Sequence, residues 1–98
     1  MADISSSCTV KSWSDGNLRK VWVETPNTAD TGDTISITLS DHGIKKLKTV
    51  TGWAHSTEDS VVVGEAPTTA VSSGVLTITI GGSSASNLKR EYIIYGSC

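Results

Sequence analysis

The side chains with the most chemical potential in this chain are His42, His55, Cys8, Cys98 and the adjacent pair Glu58-Asp59, set among many Ser and Thr hydroxyls. A metal centre needs several ligands converging at short spacing. His42 and His55 belong to separate segments, Cys8 and Cys98 stand near opposite ends, and no Cys-x-x-Cys or His-x-x-x-His pattern occurs. His42 lies in an Asp41-His42-Gly43 turn, and His55 follows Trp53 at the end of an expected strand. A Ser-His-Asp triad is recognised by geometry, and a Ser-rich chain supplies candidates everywhere. Glu58-Asp59 has the composition of a solvated turn, and Gly81-Gly82 is followed by Ser83 rather than by the Lys of a phosphate-binding loop. These residues point away from catalysis: the expectation is a non-enzyme with no catalytic residue, no cofactor and no metal.

The cysteines are the sharpest local feature. Cys8 precedes the first strand and Cys98 is the final residue. They could be free thiols, an internal bridge or bridges between chains. An internal bridge requires Cα atoms about 4.4–6.8 Å apart, a reducing cell favours thiols, and an oxidising exterior permits cross-links. All three alternatives stand at this level, with Cys8 and Cys98 as the disulfide or cross-link candidates.

A formal charge of −2 and a pI near 5.5 oppose non-specific nucleic-acid binding, which requires a basic footprint. The basic stretch Ile44-Lys45-Lys46-Leu47-Lys48 reads as a strand entry whose lysines face water or guard an open edge. No run approaches the ~20 apolar residues of a membrane span, and Met1 to Ser7 lacks the charged and apolar regions of a secretory signal. Asn17, Asn27 and Asn87 do not begin glycosylation acceptors. The expectation is synthesis in a soluble compartment, with neither nucleic acid nor membrane as partner.

The elements that would position these residues are short strands. Ser and Thr supply more than a quarter of the 98 residues and Phe is absent, a composition suited to half-solvated pleated surfaces. Thr9–Trp13 and Leu18–Glu24 read as a hairpin around Asp15-Gly16, because a type I′ turn needs positive φ at both central positions. In the second strand Val21 and Val23 share one face, leaving Trp22 on the other. Thr34–Ser40 alternates without error, directing Ile35, Ile37 and Leu39 inward. Ile44–His55 reads as one long strand, or two meeting at a bulge or close approach at Gly52, with Trp53 plugging the core. The unbroken Val61-Val62-Val63 suggests burial on both faces or pairing in the middle of a sheet. Val75–Ile80 alternates again, directing Leu76, Ile78 and Ile80 inward, Gly81–Asn87 reads as a loop, and Lys89–Tyr95 closes the domain. Seven to eight closely spaced strands specify an all-β fold, an antiparallel β-sandwich or small β-barrel. Residues 1–8 form an expected flexible arm, 9–96 one β domain and 97–98 a short tail carrying Cys98.

Asp30-Thr31-Gly32-Asp33-Thr34-Ile35, Gly43-Ile44, Thr51-Gly52-Trp53, Ser60-Val61-Val62-Val63, Val71-Ser72-Ser73-Gly74-Val75-Leu76-Thr77-Ile78 and Arg90-Glu91-Tyr92-Ile93-Ile94-Tyr95-Gly96 give the chain a resemblance to small Thr/Gly-rich structural proteins of tailed bacteriophages. The resemblance lies in style and strand pattern and covers most of the chain. It implies a virion component, made in the host cytoplasm, that decorates or cements the capsid surface, commonly as a homotrimer. Its implied partners are the major capsid protein and copies of itself. Such proteins work through surfaces, and Ile4, Trp22 and Tyr92 are the candidate interface residues. Alternatives are a tail, neck or fibre component, or a carbohydrate-binding module whose exposed aromatic rings stack on sugars.

Overall fold

Alternation of apolar with Thr or Ser residues gives each segment one face to bury and one to hydrate, and the described residues form eight strands. The computed structural model describes residues 2–16, 18–81 and 88–97. The strands are β1 (Thr9–Asp15), β2 (Leu18–Glu24), β3 (Thr34–Thr38), β4 (Lys46–Thr57), β5 (Val61–Gly64), β6 (Thr68–Ser72), β7 (Val75–Thr79) and β8 (Arg90–Ser97). They form a five-stranded sheet in the order β1-β2-β8-β4-β5 and a three-stranded sheet in the order β3-β7-β6, every pairing between strands antiparallel. This is the all-β sandwich expected from the alternation.

The core lies between the sheets. Val21, Val23, Tyr92 and Ile94 from the larger sheet meet Ile35, Ile37, Leu76 and Ile78 from the smaller, with Ala29, Leu39, Ile44 and Ile80 completing the cluster. The expected inward sets on β2, β3 and β7 are those observed. Leu39 is buried too, although β3 stops at Thr38 and Leu39 begins a 3-10 turn through His42, ended by Gly43 at φ 73°.

Other expectations shift. Asp15 pairs with Leu18, so Asp15 belongs to β1 and the hairpin turn begins one residue later, at Gly16 with φ 63°; Asn17 lies outside the described residues. β4 is one strand whose register shifts fall at Leu47/Thr49 and His55/Thr57 rather than at Gly52. Gly52 marks a close approach instead: a Cβ there would run into the Tyr92 ring and come within 2.9 Å of the Glu65 carbonyl oxygen. Because β4 is continuous, its parity decides the fate of Trp53. Gly52 and Ala54 lie opposite the inward Tyr92 and Arg90, so Trp53, opposite Glu91, points outward instead of plugging the core.

The valines of β5 also depart from expectation. β5 pairs only with β4 and forms a sheet edge, leaving Val61, Val62 and Val63 at 47%, 51% and 39% exposure. Pairing of β4 on its β5 side covers only Trp53–Thr57 among the described residues. The first part of β4, with Lys46 and Lys48 exposed, is thus an open edge, as the basic stretch suggested.

Residues Ala2–Cys8, read from sequence as an arm, lie along the edge of β3. Asp3 bridges to Thr34, Ile4 N–H donates to the Thr34 carbonyl at 2.9 Å, and Thr34 N–H donates to the Ala2 carbonyl at 2.8 Å. Ser97, assigned to the tail, is the last residue of β8. Residues 82–87 of the expected loop, and Cys98, lie outside the described residues.

Candidate functional site

The outer face of the five-stranded sheet gathers the large aromatic side chains that the core does not use. Strand parity builds it in rows. Register places Lys11 of β1, Trp22 of β2, Ile93 of β8 and Thr51 of β4 side by side. The next row is Trp13, Lys20, Tyr95 and Thr49, and on the other side lie Thr9, Glu24, Glu91 and Trp53. All three tryptophans of the chain therefore share this face. Trp13 is 43% exposed, while Trp22, Trp53, Ile93 and Tyr95 are half-buried against their neighbours.

Charge is arranged across the face in a definite way. Lys11 Nζ lies 5.6 Å from the centroid of the Trp22 ring, and Lys20 Nζ lies 5.3 Å from that of Tyr95, both within cation–π range. With Lys46 opposite Ser97 and Lys48 exposed beside it, one end of the face is rich in lysine. The other end is acidic. Glu24 and Glu91 stand opposite each other, and Asp59 projects from the β4–β5 turn.

The acidic end is a connected network. Trp53 Nε1–H donates to Glu91 Oε2 at 2.7 Å, and Asp59 N–H donates to His55 Nδ1 at 3.0 Å. An Nδ1 that accepts is unprotonated, which places the ring proton on Nε2, 3.5 Å from Glu91 Oε2. Lys89 Nζ donates to Asp59 Oδ1 at 2.8 Å and stands 3.5 Å from Glu24 Oε2. The hydrogen bond from Lys89, followed by its charge, holds the Asp59 carboxyl below its ordinary pKa; the same hydrogen bond raises that of Lys89. The network fixes side chains at this end, and the arrangement suits recognition by contact.

A second polar feature lies inside. Arg90 and Glu65 form an ion pair with Nε and Oε1 2.6 Å apart, their side chains 0% and 2% exposed. Arg90 Nη1 also donates to the Ala29 carbonyl at 2.7 Å, and Arg90 N–H donates to Thr25 Oγ1 at 2.8 Å. The pair thus fastens the segment after β5 and the loop after β2 to the start of β8. Burial, with the nearby Glu65 charge adding to it, raises the pKa of Tyr92, whose hydroxyl has no hydrogen-bond partner among the described residues.

Of the residues singled out from sequence, Trp22 lies on the outer face and Ile4 packs against the core cluster. Tyr92 is corrected from interface candidate to core residue. It is fully buried because alternation along β8 turns Arg90, Tyr92 and Ile94 inward together. The Cys8 thiol is half-buried and donates to the Ile4 carbonyl at 3.3 Å. Burial, with a smaller contribution from the Asp3 charge, pushes its pKa up to about 11. The His42 carbonyl accepts from Arg19 Nε at 3.0 Å, and the structure does not bring His42 together with His55.

Among the described residues no group of three or more His, Cys, Asp and Glu is placed to hold a metal, no concave pocket opens, and no helix is long and apolar enough to cross a membrane. Trp13, Trp53, Ile93 and Tyr95 were not singled out from sequence as contact residues. The signal that finds them is parity: once Val21, Ile94 and Ala54 are inward, the residues on either side must face out. No family model matches the chain, and comparisons with curated proteins and with solved structures yield no match.

Proposed function

We propose that this chain is a non-enzymatic structural protein of a tailed-phage particle, decorating or cementing the capsid through surface contacts. Its partners in this proposal are the major capsid protein and copies of itself. The observation that carries it is the outer face of the five-stranded sheet, where Trp13, Trp22, Trp53, Ile93 and Tyr95 stand together instead of filling the core. Aromatic side chains carry the largest burial energies of any residue, and surfaces enriched in Trp and Tyr are the ones proteins use for contact. The resemblance in strand pattern to phage structural proteins supplies the setting. Cross-linking through Cys8 is no part of the proposal, because thiolate is the reactive form and this thiol is held protonated.

A carbohydrate-binding role draws less support from the same face. Sugar rings stack on open aromatic faces, whereas Lys11 and Lys20 lie over the rings of Trp22 and Tyr95.

The test is to co-express the full chain with the major capsid protein of the phage that encodes it, pellet the particles and identify their proteins by mass spectrometry. The chain should sediment with the particles, and Trp22→Ala should reduce its share. A chain that remains entirely in the supernatant overturns the proposal.

A further inference from the structure

We infer that the outer face of the five-stranded sheet pairs with the same face of a second copy, about a two-fold axis running across the strands. The inference rests on the reading of this face as a contact surface and names the partner. Charge argues for it first. The face is divided, with Lys20, Lys46 and Lys48 toward one end and Glu24, Glu91 and Asp59, offset by Lys11 and Lys89, toward the other. A two-fold axis across the strands turns one copy end for end, so the basic end of each copy covers the acidic end of the other. Such a patch is complementary to itself, which is the requirement of an isologous pair.

Register locates the axis between the row Lys11-Trp22-Ile93-Thr51 and the row Trp13-Lys20-Tyr95-Thr49. Ile93 then meets Tyr95 of the second copy and supplies an apolar centre. Trp22 meets Lys20 of the second copy, and Trp13 meets its Lys11, so each lysine that caps an aromatic ring in its own chain gains another across the interface. Lys20 and Lys46 reach toward the second copy's Glu24 and Glu91. An apolar centre inside a charged rim is the usual anatomy of a specific interface.

The dimensions suffice for a modest pair. Four rows at about 6.7 Å and four strands at about 4.8 Å span roughly 20 by 14 Å. With side-chain relief this is on the order of 450 Å² of accessible surface per copy, in the range of weak, reversible complexes. A three-fold ring, implied by the phage resemblance, needs two different surfaces meeting head to tail, whereas this face fits itself.

The experiment is sedimentation of the purified full chain over a concentration series at low and high salt, with no particle present. Wild type should reach the mass of a dimer and dissociate more readily at high salt, as screening shortens the reach of the lysines. K20E/K46E and E24K should each weaken association by about tenfold or more, because each brings like charges together. Mixed in equal amounts they should form a mixed dimer, a result that also shows both variants folded. A monomer at every concentration, a trimer, or association unaffected by salt and by both charge reversals overturns the inference. Particle incorporation is read in a separate assay, so failure here leaves the proposed function standing, and the converse holds as well.

Discussion

Glu65→Gln removes a charge from the best-buried polar contact in the chain and leaves its shape nearly unchanged. Glu65 Oε1 lies 2.6 Å from Arg90 Nε, and Arg90 is completely withdrawn from solvent. In the variant the guanidinium keeps its hydrogen bond to the Ala29 carbonyl, but its positive charge loses the carboxylate that compensated it. Breaking a buried ion pair by removing one partner costs about 3–5 kcal/mol. Gln still offers a neutral acceptor, so the expected loss is about 3 kcal/mol, rising to about 4–5 kcal/mol for Glu65→Ala. A chain of 98 residues has roughly 5–15 kcal/mol to lose, so the effect is large. Urea titration followed by tryptophan fluorescence reads it directly. With an m-value of about 1–1.5 kcal/mol/M, the midpoint should fall by about 2–3 M for Glu65→Gln. Replacing both partners, Glu65→Leu with Arg90→Met, should recover much of the loss, because two well-packed apolar groups carry no desolvation cost. A Glu65→Gln midpoint within about 0.5 M of wild type, or a double variant whose loss is the sum of the single losses, would refute the reasoning.

Three further outcomes follow from single residues. Tyr92→Phe removes a buried hydroxyl that has no partner among the described residues and should be neutral or stabilising by up to about 1 kcal/mol in the same titration; a loss above about 1 kcal/mol would show that the hydroxyl is bonded. Gly52→Ala pushes a methyl into the Tyr92 ring and toward the Glu65 carbonyl, and should cost about 1–3 kcal/mol, whereas Gly64→Ala meets nothing and serves as control. The Cys8 thiol, raised from 9.0 to about 11, should be alkylated about 100-fold more slowly at pH 8 in the folded chain than after unfolding, read by mass spectrometry of its peptide; equal rates would contradict its burial. Because the folded pKa is the higher one, this thiol's contribution to stability is full below pH 9 and is lost as pH climbs toward 11.

Fold class and inward faces were legible because a period of two is a strong signal wherever one face is buried. Ile35, Ile37, Leu76, Ile78 and Ile80 all landed where alternation put them. The failures share a physical cause. Val61-Val62-Val63 has the composition of a central strand, but composition does not reveal how many neighbours a strand has, and β5 has only β4. Trp53 is expected in the core beside Gly52, yet it lies between Gly52 and Ala54, whose inward facing turns it out. The Gly is small because Tyr92 needs the space above it, a contact between residues far apart in sequence. Tyr92 and Tyr95 are three apart on one strand and so face opposite ways; one is core and the other surface, and only the pairing partners say which. The Arg90–Glu65 pair was invisible for the same reason, since neither residue carries a local sign of being buried.

The two sheets are unequal, and that inequality links stability to assembly. Three strands cannot cover five: the inner sides of β5 and β6 stay in water, with Val63 at 39% and Val71 at 48% exposure. The covered core is built from Val, Ile, Leu and Ala with a single Tyr, leaving the tryptophans to the opposite face of the larger sheet. A chain built this way folds on a modest aliphatic core and a buried ion pair while keeping its largest apolar side chains outside. Any partner that covers those side chains binds the folded state alone, so association adds to stability through mass action, by about 2.7 kcal/mol at a hundredfold excess over Kd. Removing Glu65 and covering the outer face should therefore act in opposite directions on the same unfolding equilibrium, because the first lowers the intrinsic stability of the copy that the second selects.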